Sequence, residues 1–292
     1  LEKSIFLKKT SITNIKDEKH IFVTGLPRSG TTTLLNFIYS SNNFASLKYL
    51  NMPFVMAPNI SRLFKKKNIA LRERYHQDGI MFDLDSPEAF DEVFFSTFDN
   101  SFIRDELLNY FNLILLSENK KRYLSKNNLN YKRINFILSI LPKSLFLIPI
   151  REPLQHSYSL LNQHLHFLKL QKQNNFIKRY INYLGHNEFG INHASWNRPI
   201  KYSDYKSINY WLEQWILFYE SIYKKYKKNS NCKFIIYEKL VDKNSINELL
   251  KFADLKTSND FTFLCNNKSI SLNCDKKLYQ VAKNTYAKFI EL

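Results

Sequence analysis

Apolar residues along this chain come either as short unbroken runs or at helical spacing, and the two kinds of segment alternate. HIFVTG (20–25) has the pattern of a short buried strand. It runs through GLPRSGTT into the apolar helical pattern TLLNFIYSS. FASLKYL (44–50) predicts a second strand. Further on, Ser86-Pro87-Glu88 reads as a helix start, with an N-cap serine, proline at the first helical position and an acid in the first turn. A helical pattern covers 132–141, SLFLIPI (144–150) suits a central strand, and a helix is expected after Arg151-Glu152-Pro153. Residues 172–206 are polar and aromatic without a strong period, which predicts an irregular insertion over a ligand site. A helix from about 208 to 228 carries Trp211, Trp215, Phe218 and Tyr219 near one side. KFIIYEKL then reads as strand into turn, and NELLKFADL and DKKLYQVAKNTYAKFIEL as closing helices. Alternating strands and helices predict an α/β fold with a central parallel sheet flanked by helices. The expected organisation is one domain over 1–292, with residues 1–18 as an N-terminal extension.

Composition narrows the function classes. The chain has 292 residues, 44% of them hydrophobic, enough for a sizeable core. No apolar run is long enough to cross a bilayer. The first 20 residues carry no apolar stretch of the signal-peptide kind. Cys232, Cys265 and Cys274 lie without metal-site spacing, and their odd number fits free thiols in a reducing compartment, so a cytoplasmic location is expected. The net charge of +17 suits an anionic ligand or acceptor. A bias toward Lys, Asn, Ile, Tyr and Phe accounts for it equally well. No nucleic-acid-binding module is legible, and no nucleic acid is expected as a partner.

The chemistry starts at GLPRSGTT. Gly25, four intervening residues, Gly30 and a pair of hydroxyls outline a phosphate loop between a strand and a helix, where backbone N–H groups and the helix N-terminus attract an anion. A nucleoside triphosphatase needs Lys at position 31, and this chain has Thr31. No strand ends in a convincing magnesium-binding aspartate. The cation inside the loop is Arg28, whose guanidinium can fork onto phosphate or sulfate oxygens. Downstream, LIPIREPLQHSYS places Arg151 at a strand end and Ser159 on the following helix, a pairing able to hold a phosphate dianion.

These two segments, in this order, resemble the loop and the 3'-phosphate element of the sulfotransferases that use 3'-phosphoadenosine-5'-phosphosulfate (PAPS). A third segment, IIYEKLVDKNSINELLKFADL, is similar to the late strand and turn of that family. The resemblance extends from about His20 to the C-terminus and implies a P-loop α/β fold, PAPS as donor, 3',5'-ADP (PAP) as product and no required metal. It implies donor contacts from Pro27, Arg28, Ser29, Gly30, Thr31, Thr32, Thr33, Arg151, Ser159 and Tyr237, with Glu238 holding the fold. FASLKYLNMPFVMAP, DGIMFDLDSPEAF, YLSKNN and LGHNEFG look closest to bacterial members that sulfate surface polysaccharides. The implied acceptor is therefore a carbohydrate or another hydroxyl-bearing molecule, and oligomeric state stays open.

Sulfuryl transfer needs cations on the sulfuryl and leaving oxygens and a base for the acceptor. Arg28 is assigned the first task, and the resemblance adds Lys126 of YLSKNN. Asn51, where some relatives carry a base, cannot take a proton. The base is expected to be Glu88 or Glu92, one helical turn apart on one face, with His76 and Asp78 in reserve. First-turn acids are also favoured by the helix dipole regardless of function. His186, Glu188 and His193 match no metal-site spacing, and acceptor contact or plain surface polarity is expected of them. Two other readings compete: an ATP-dependent P-loop kinase, opposed by Thr31, and a non-catalytic protein that binds PAP or a polyanion.

Overall fold

The computed structural model describes residues 2–7, 15–52, 54–64, 70–74, 79–98, 103–183, 188–198, 200–256, 261–263, 270 and 274–292. His76, Asp78, His186 and Cys265 lie outside these described residues. The expected α/β architecture is present. A five-stranded sheet has the order β2-β5-β1-β6-β7, built from β1 (Ile21–Val23), β2 (Phe44–Ala45), β5 (Arg122–Lys126), β6 (Leu145–Ile150) and β7 (Cys232–Ile236). A two-stranded hairpin, β3 (Arg72–Glu73) with β4 (Met81–Phe82), is separate from it. The sheet order turns back on itself at β1, the strand whose C-terminal end feeds the glycine loop. In open α/β sheets ligands collect at such a reversal, outside the carboxyl ends of the strands.

The chain divides into two compact units. The first comprises Leu1–Thr24, Thr32–Phe146 and Leu249–Phe261. In it β1 and β2 both pair parallel to β5, with Ile21 opposite Leu124, Val23 opposite Lys126 and Phe44 opposite Arg122. β1 (IFV) and β2 (FA) are apolar and buried at every position, as strands covered on both faces are, whereas β5 (RYLSK) also buries Ser125 and Lys126. Phe22 stacks on Phe146 at 5.2 Å between ring centroids, and Tyr123 packs on Phe111 at 4.4 Å. Fully buried His20 ties the strand starts together: Nε2 is 2.7 Å from Ile15 O, and Nδ1 accepts from Tyr123 N at 2.9 Å. Burial lowers this imidazole to about 4. It is therefore neutral, with its proton on Nε2.

The second unit comprises Gly25–Thr31, Leu147–Glu248 and Thr262–Leu292. Its long helices are α7 (Pro153–Gln173), α9 (Ile208–Tyr226) and α11 (Lys276–Ile290), which pack on one another. Glu152 caps α7 by accepting from Gln155 N, and Pro153 occupies the first turn, where its missing N–H costs nothing. Glu238 carries out the structural task implied for it, accepting from Glu152 N at 2.9 Å and Tyr286 Oη at 3.0 Å.

Three sequence expectations change. Ser86-Pro87-Glu88 does not open a helix; α4 runs Asp91–Thr97. Ser86 Oγ is taken up in a turn with Asp83, Pro87 bridges to Lys48, and Glu88 N donates to Leu47 O at 2.9 Å, so tertiary pairing outweighs the local helix signal. The predicted strand over 44–50 shrinks to Phe44–Ala45, followed by a short 3-10 turn at Tyr49–Asn51. In the insertion, helix α7 continues to Gln173 and α8 occupies Asn175–Tyr183. The described remainder is irregular and pinned by side chains: Gln171 accepts from Ile191 N, Gln214 from Trp196 N and Asn197 N, and Glu213 from Lys201 N and Tyr202 N.

Candidate active site

The glycine loop lies in the second unit. Arg28 adopts a left-handed backbone (φ 68°), unusual for a side chain of that size, and Gly30 has φ 100°. Gly30 is required for a second reason: a Cβ there would stand 2.3 Å from the Tyr237 ring. Tyr237 therefore meets the loop by close packing, and the Arg151 guanidinium lies 5.8 Å from its ring centroid. The three polar residues picked out by the motifs form one connected network. Arg28 Nε donates to Ser159 Oγ at 3.2 Å, and Arg151 Nη1 donates to Arg28 O at 3.1 Å. As motifs they belong to a loop site and a separate 3'-phosphate site. Arg151 Nε is buried without a hydrogen-bond partner, an atom suited to an anionic ligand. Pro27 and Ser29 help shape the loop, the latter through Ser29 Oγ, which donates to Leu26 O at 2.7 Å. Thr31, Thr32 and Thr33 open α2 (Thr31–Ser40), the first two of them buried.

The motifs did not single out His156. It is fully buried, one helical turn before Ser159, with Nε2 2.8 Å from Pro27 O. Burial first, and then the Arg151 charge, lower this imidazole to about 3. The signal was present in the i, i+3 spacing of His156 and Ser159 on one helix face.

A second cluster lies in the first unit, around Glu88. This buried carboxylate accepts from Tyr49 Oη at 2.7 Å, Ala89 N at 2.7 Å and Arg74 Nη1 at 3.2 Å, and Lys126 Nζ is 4.0 Å away. Burial alone would raise its pKa, but Lys126 and then Arg74 outweigh it and hold the carboxyl well below the usual range. Arg74 also reaches Thr32 Oγ1 at 3.5 Å, linking Glu88 to the hydroxyl next after Thr31 in the chain. No sequence pattern marked Arg74, because its partners are distant in sequence and meet only through the fold.

Glu92 is not on one helical face with Glu88, which precedes the helix. Its carboxylate is clamped by Arg133 through two bonds of 2.8 Å and by Asn127 Nδ2 at 2.8 Å. Between them Asp91 is buried against Tyr123 Oη, at 2.8 Å, and Ser125 Oγ. Burial raises Asp91 to about 6. Asn51 is structural, accepting from Lys48 N and donating to Ser61 Oγ. His193 lies in an aromatic cluster, with Nε2 2.7 Å from Tyr210 Oη and its ring 5.2 Å from that of His164. Among the described residues no group of three His, Cys, Asp or Glu side chains is placed to hold a metal ion. No described helix is long and apolar enough to cross a membrane.

Comparison with known proteins identifies the family of the chain. The model of the family described as "Sulfotransferase family" matches residues 20–198, which take in the glycine loop, Glu88, Lys126, Arg151 and Ser159. Among solved structures, sulfotransferase STF1 from Mycobacterium tuberculosis H37Rv superposes with a TM-score of 0.50 at 11% identity, over 100% of this chain and 81% of that one. Sulfotransferase STF9 from Mycobacterium avium gives 0.49 at 12% identity, over 99% and 73%. A sulfotransferase from Alicyclobacillus acidocaldarius gives 0.44 at 12%, over 94% and 93%. A search of curated protein sequences returns no match. At these identities the likeness of STF1 speaks for the fold alone, and the family rests on the match that spans most of the chain: this protein belongs to the sulfotransferase family and is a transferase of sulfuryl groups.

Proposed function

We propose that the donor is PAPS and that the acceptor is a hydroxyl or amine of a carbohydrate or glycoconjugate. The observation that carries the donor assignment is the Arg28–Ser159–Arg151 network on a loop with threonine at position 31. Two guanidinium groups and a hydroxyl in one network suit a phosphate dianion, and the lysine that serves a triphosphate is missing. Arg151, Ser159 and Arg28 hold the phosphates of the nucleotide. The amides at the start of α2 and the hydroxyls of Thr31, Thr32 and Thr33 add donors at a helix N-terminus. Lys126 and Arg28 supply the positive charge for the reaction, and no metal is required in this reading. The cytoplasm is our proposed compartment, on the argument from the scattered cysteines; of these, Cys232 and Cys274 are free thiols.

In the reaction the acceptor oxygen attacks sulfur, the bridging S–O bond breaks, and its electron pair leaves on the PAP phosphate. Lys126 and Arg28 meet the charge that develops on the leaving and sulfuryl oxygens. The acceptor proton goes to Glu88. Its two cationic neighbours make Glu88 a weak base, which is sufficient if the transfer is as loose as phosphoryl transfer. The acceptor hydroxyl then becomes strongly acidic only as the new O–S bond forms. We assign this task to Glu88 rather than Glu92 because Glu88 has Lys126, the proposed catalytic cation, beside it, whereas Glu92 is paired with Arg133 and Asn127.

The test is nucleotide-dependent melting without added metal, followed by transfer of labelled sulfate from PAPS to a panel of oligosaccharides. PAP should raise the melting temperature far more than ATP with magnesium or adenosine. Equal stabilisation by adenosine and PAP would show that the phosphates are not read, and would end the assignment.

A further inference from the structure

Three consecutive carbonyls of the glycine loop are each held by a side chain of the same unit. Ser29 Oγ takes Leu26 O at 2.7 Å, His156 Nε2 takes Pro27 O at 2.8 Å, and Arg151 Nη1 takes Arg28 O at 3.1 Å. Ser29 belongs to the loop itself, and Arg151 belongs to the nucleotide-reading pair. His156 belongs to neither, and nothing in the proposed reaction uses it. A carbonyl oxygen offers no proton, so His156 must carry its own proton on Nε2 to make this bond. Its Nδ1 is buried without a partner.

The consequence follows from peptide geometry. In a trans peptide the carbonyl and the next N–H lie in one plane and point in opposite directions. Holding Pro27 O against α7 therefore directs the Arg28 N–H the other way, as an anion-binding loop requires. The same peptide leads into Arg28, whose left-handed backbone is costly for a non-glycine residue and persists only where its surroundings enforce it. From that backbone the Arg28 side chain reaches Ser159, one turn of α7 beyond His156. Imidazole, guanidinium and hydroxyl thus act on one stretch of loop from one helix end.

We infer that His156 is a positioning residue for the nucleotide: its Nε2–H holds Pro27 O and so keeps the loop and Arg28 in the form that binds phosphate. This rests on the PAPS reading above. Two amide substitutions separate the geometry from the bulk of the side chain. His156→Gln places an N–H near the former Nε2, whereas His156→Asn places one near Nδ1 and cannot reach Pro27 O. Titration calorimetry with PAP should show binding weakened about tenfold in His156→Asn and His156→Leu, the loss expected for one buried hydrogen bond. In His156→Gln binding should remain close to wild type. In turnover assays the Asn and Leu variants should raise KM for PAPS and leave KM for the acceptor unchanged. The Arg28 amide resonance, read by NMR without ligand, should move in Asn and Leu and stay in Gln. Asn or Leu variants that bind PAP as wild type does, or a Gln variant no better than Leu, would overturn the assignment. An unmoved Arg28 resonance in His156→Leu would overturn it whatever the nucleotide. Wild-type protein that ignores PAP while the resonance moves as expected would instead refute the PAPS reading and leave the loop clamp standing.

Discussion

Replacing Glu88 by glutamine separates its ion pairing with buried cations, seen in the structure, from the role of base proposed for it. The substitution keeps shape and removes charge. At an effective dielectric of about 20, a unit pair at the 3.2 Å separation of Arg74 is worth about 5 kcal/mol, and one at the 4.0 Å of Lys126 about 4 kcal/mol. Desolvation of three buried groups offsets much of that sum. The expected net loss for leaving the cations facing an amide is about 3–5 kcal/mol, or a fall of roughly 10 °C in melting temperature. The wild-type acid response has a definite sign. The Glu88 carboxyl is depressed in the fold, so the unfolded chain takes up this proton first as pH falls. Its contribution is complete above the unfolded value, near about 4.3, and drains away below it; Glu88→Gln should show a flatter acid limb. Denaturant melts from pH 3 to 7 measure this part. The catalytic part is measured by labelled-sulfate transfer, where loss of the base should cost roughly a hundred- to ten-thousand-fold in kcat. A variant with wild-type turnover would remove Glu88 from the chemistry. An unchanged melting temperature would refute the ion cluster.

Other substitutions test the neighbouring assignments. Glu92→Gln should lower stability, by breaking the two-bond clamp to Arg133, yet leave turnover of the folded enzyme near wild type; a turnover loss comparable to that of Glu88→Gln would reverse the choice of base. Gly30→Ala should abolish PAP binding in titration calorimetry or prevent folding, since the new Cβ would meet the Tyr237 ring at 2.3 Å; a variant that binds normally would contradict the loop geometry. Asp91 titrates higher in the fold than in the unfolded chain, so its contribution is present below about pH 4 and is lost as pH rises toward 6. Denaturant melts of Asp91→Asn over that interval should lack this decline, and a decline equal to that of wild type would place the titrating group elsewhere.

What the sequence alone determined about this protein is what short-range signals carry. The run HIFVTG into GLPRSGTT specified strand, loop and helix together, because glycine, hydroxyl and apolar spacing act within about one turn of chain. REPLQHSYS likewise marked its own strand end and helix start through Glu152 and Pro153. Threonine at position 31 spoke against ATP without any coordinates. Local signals failed at Ser86-Pro87-Glu88, where the helix-start pattern was correct in composition and lost to pairing with Leu47 and Lys48, residues about 40 positions away. Only the tertiary structure distinguished the surroundings of the two candidate acids. Glu88 and Glu92 look equivalent as letters, but one meets Arg74, Tyr49 and Lys126 while the other meets Arg133 and Asn127. The carbonyl held by His156 was hidden for the same reason: its bond to Pro27 spans residues far apart in the chain. Charge and hydrogen bonding act through space over a few ångströms, so a side chain's chemistry depends on neighbours that the linear order does not reveal.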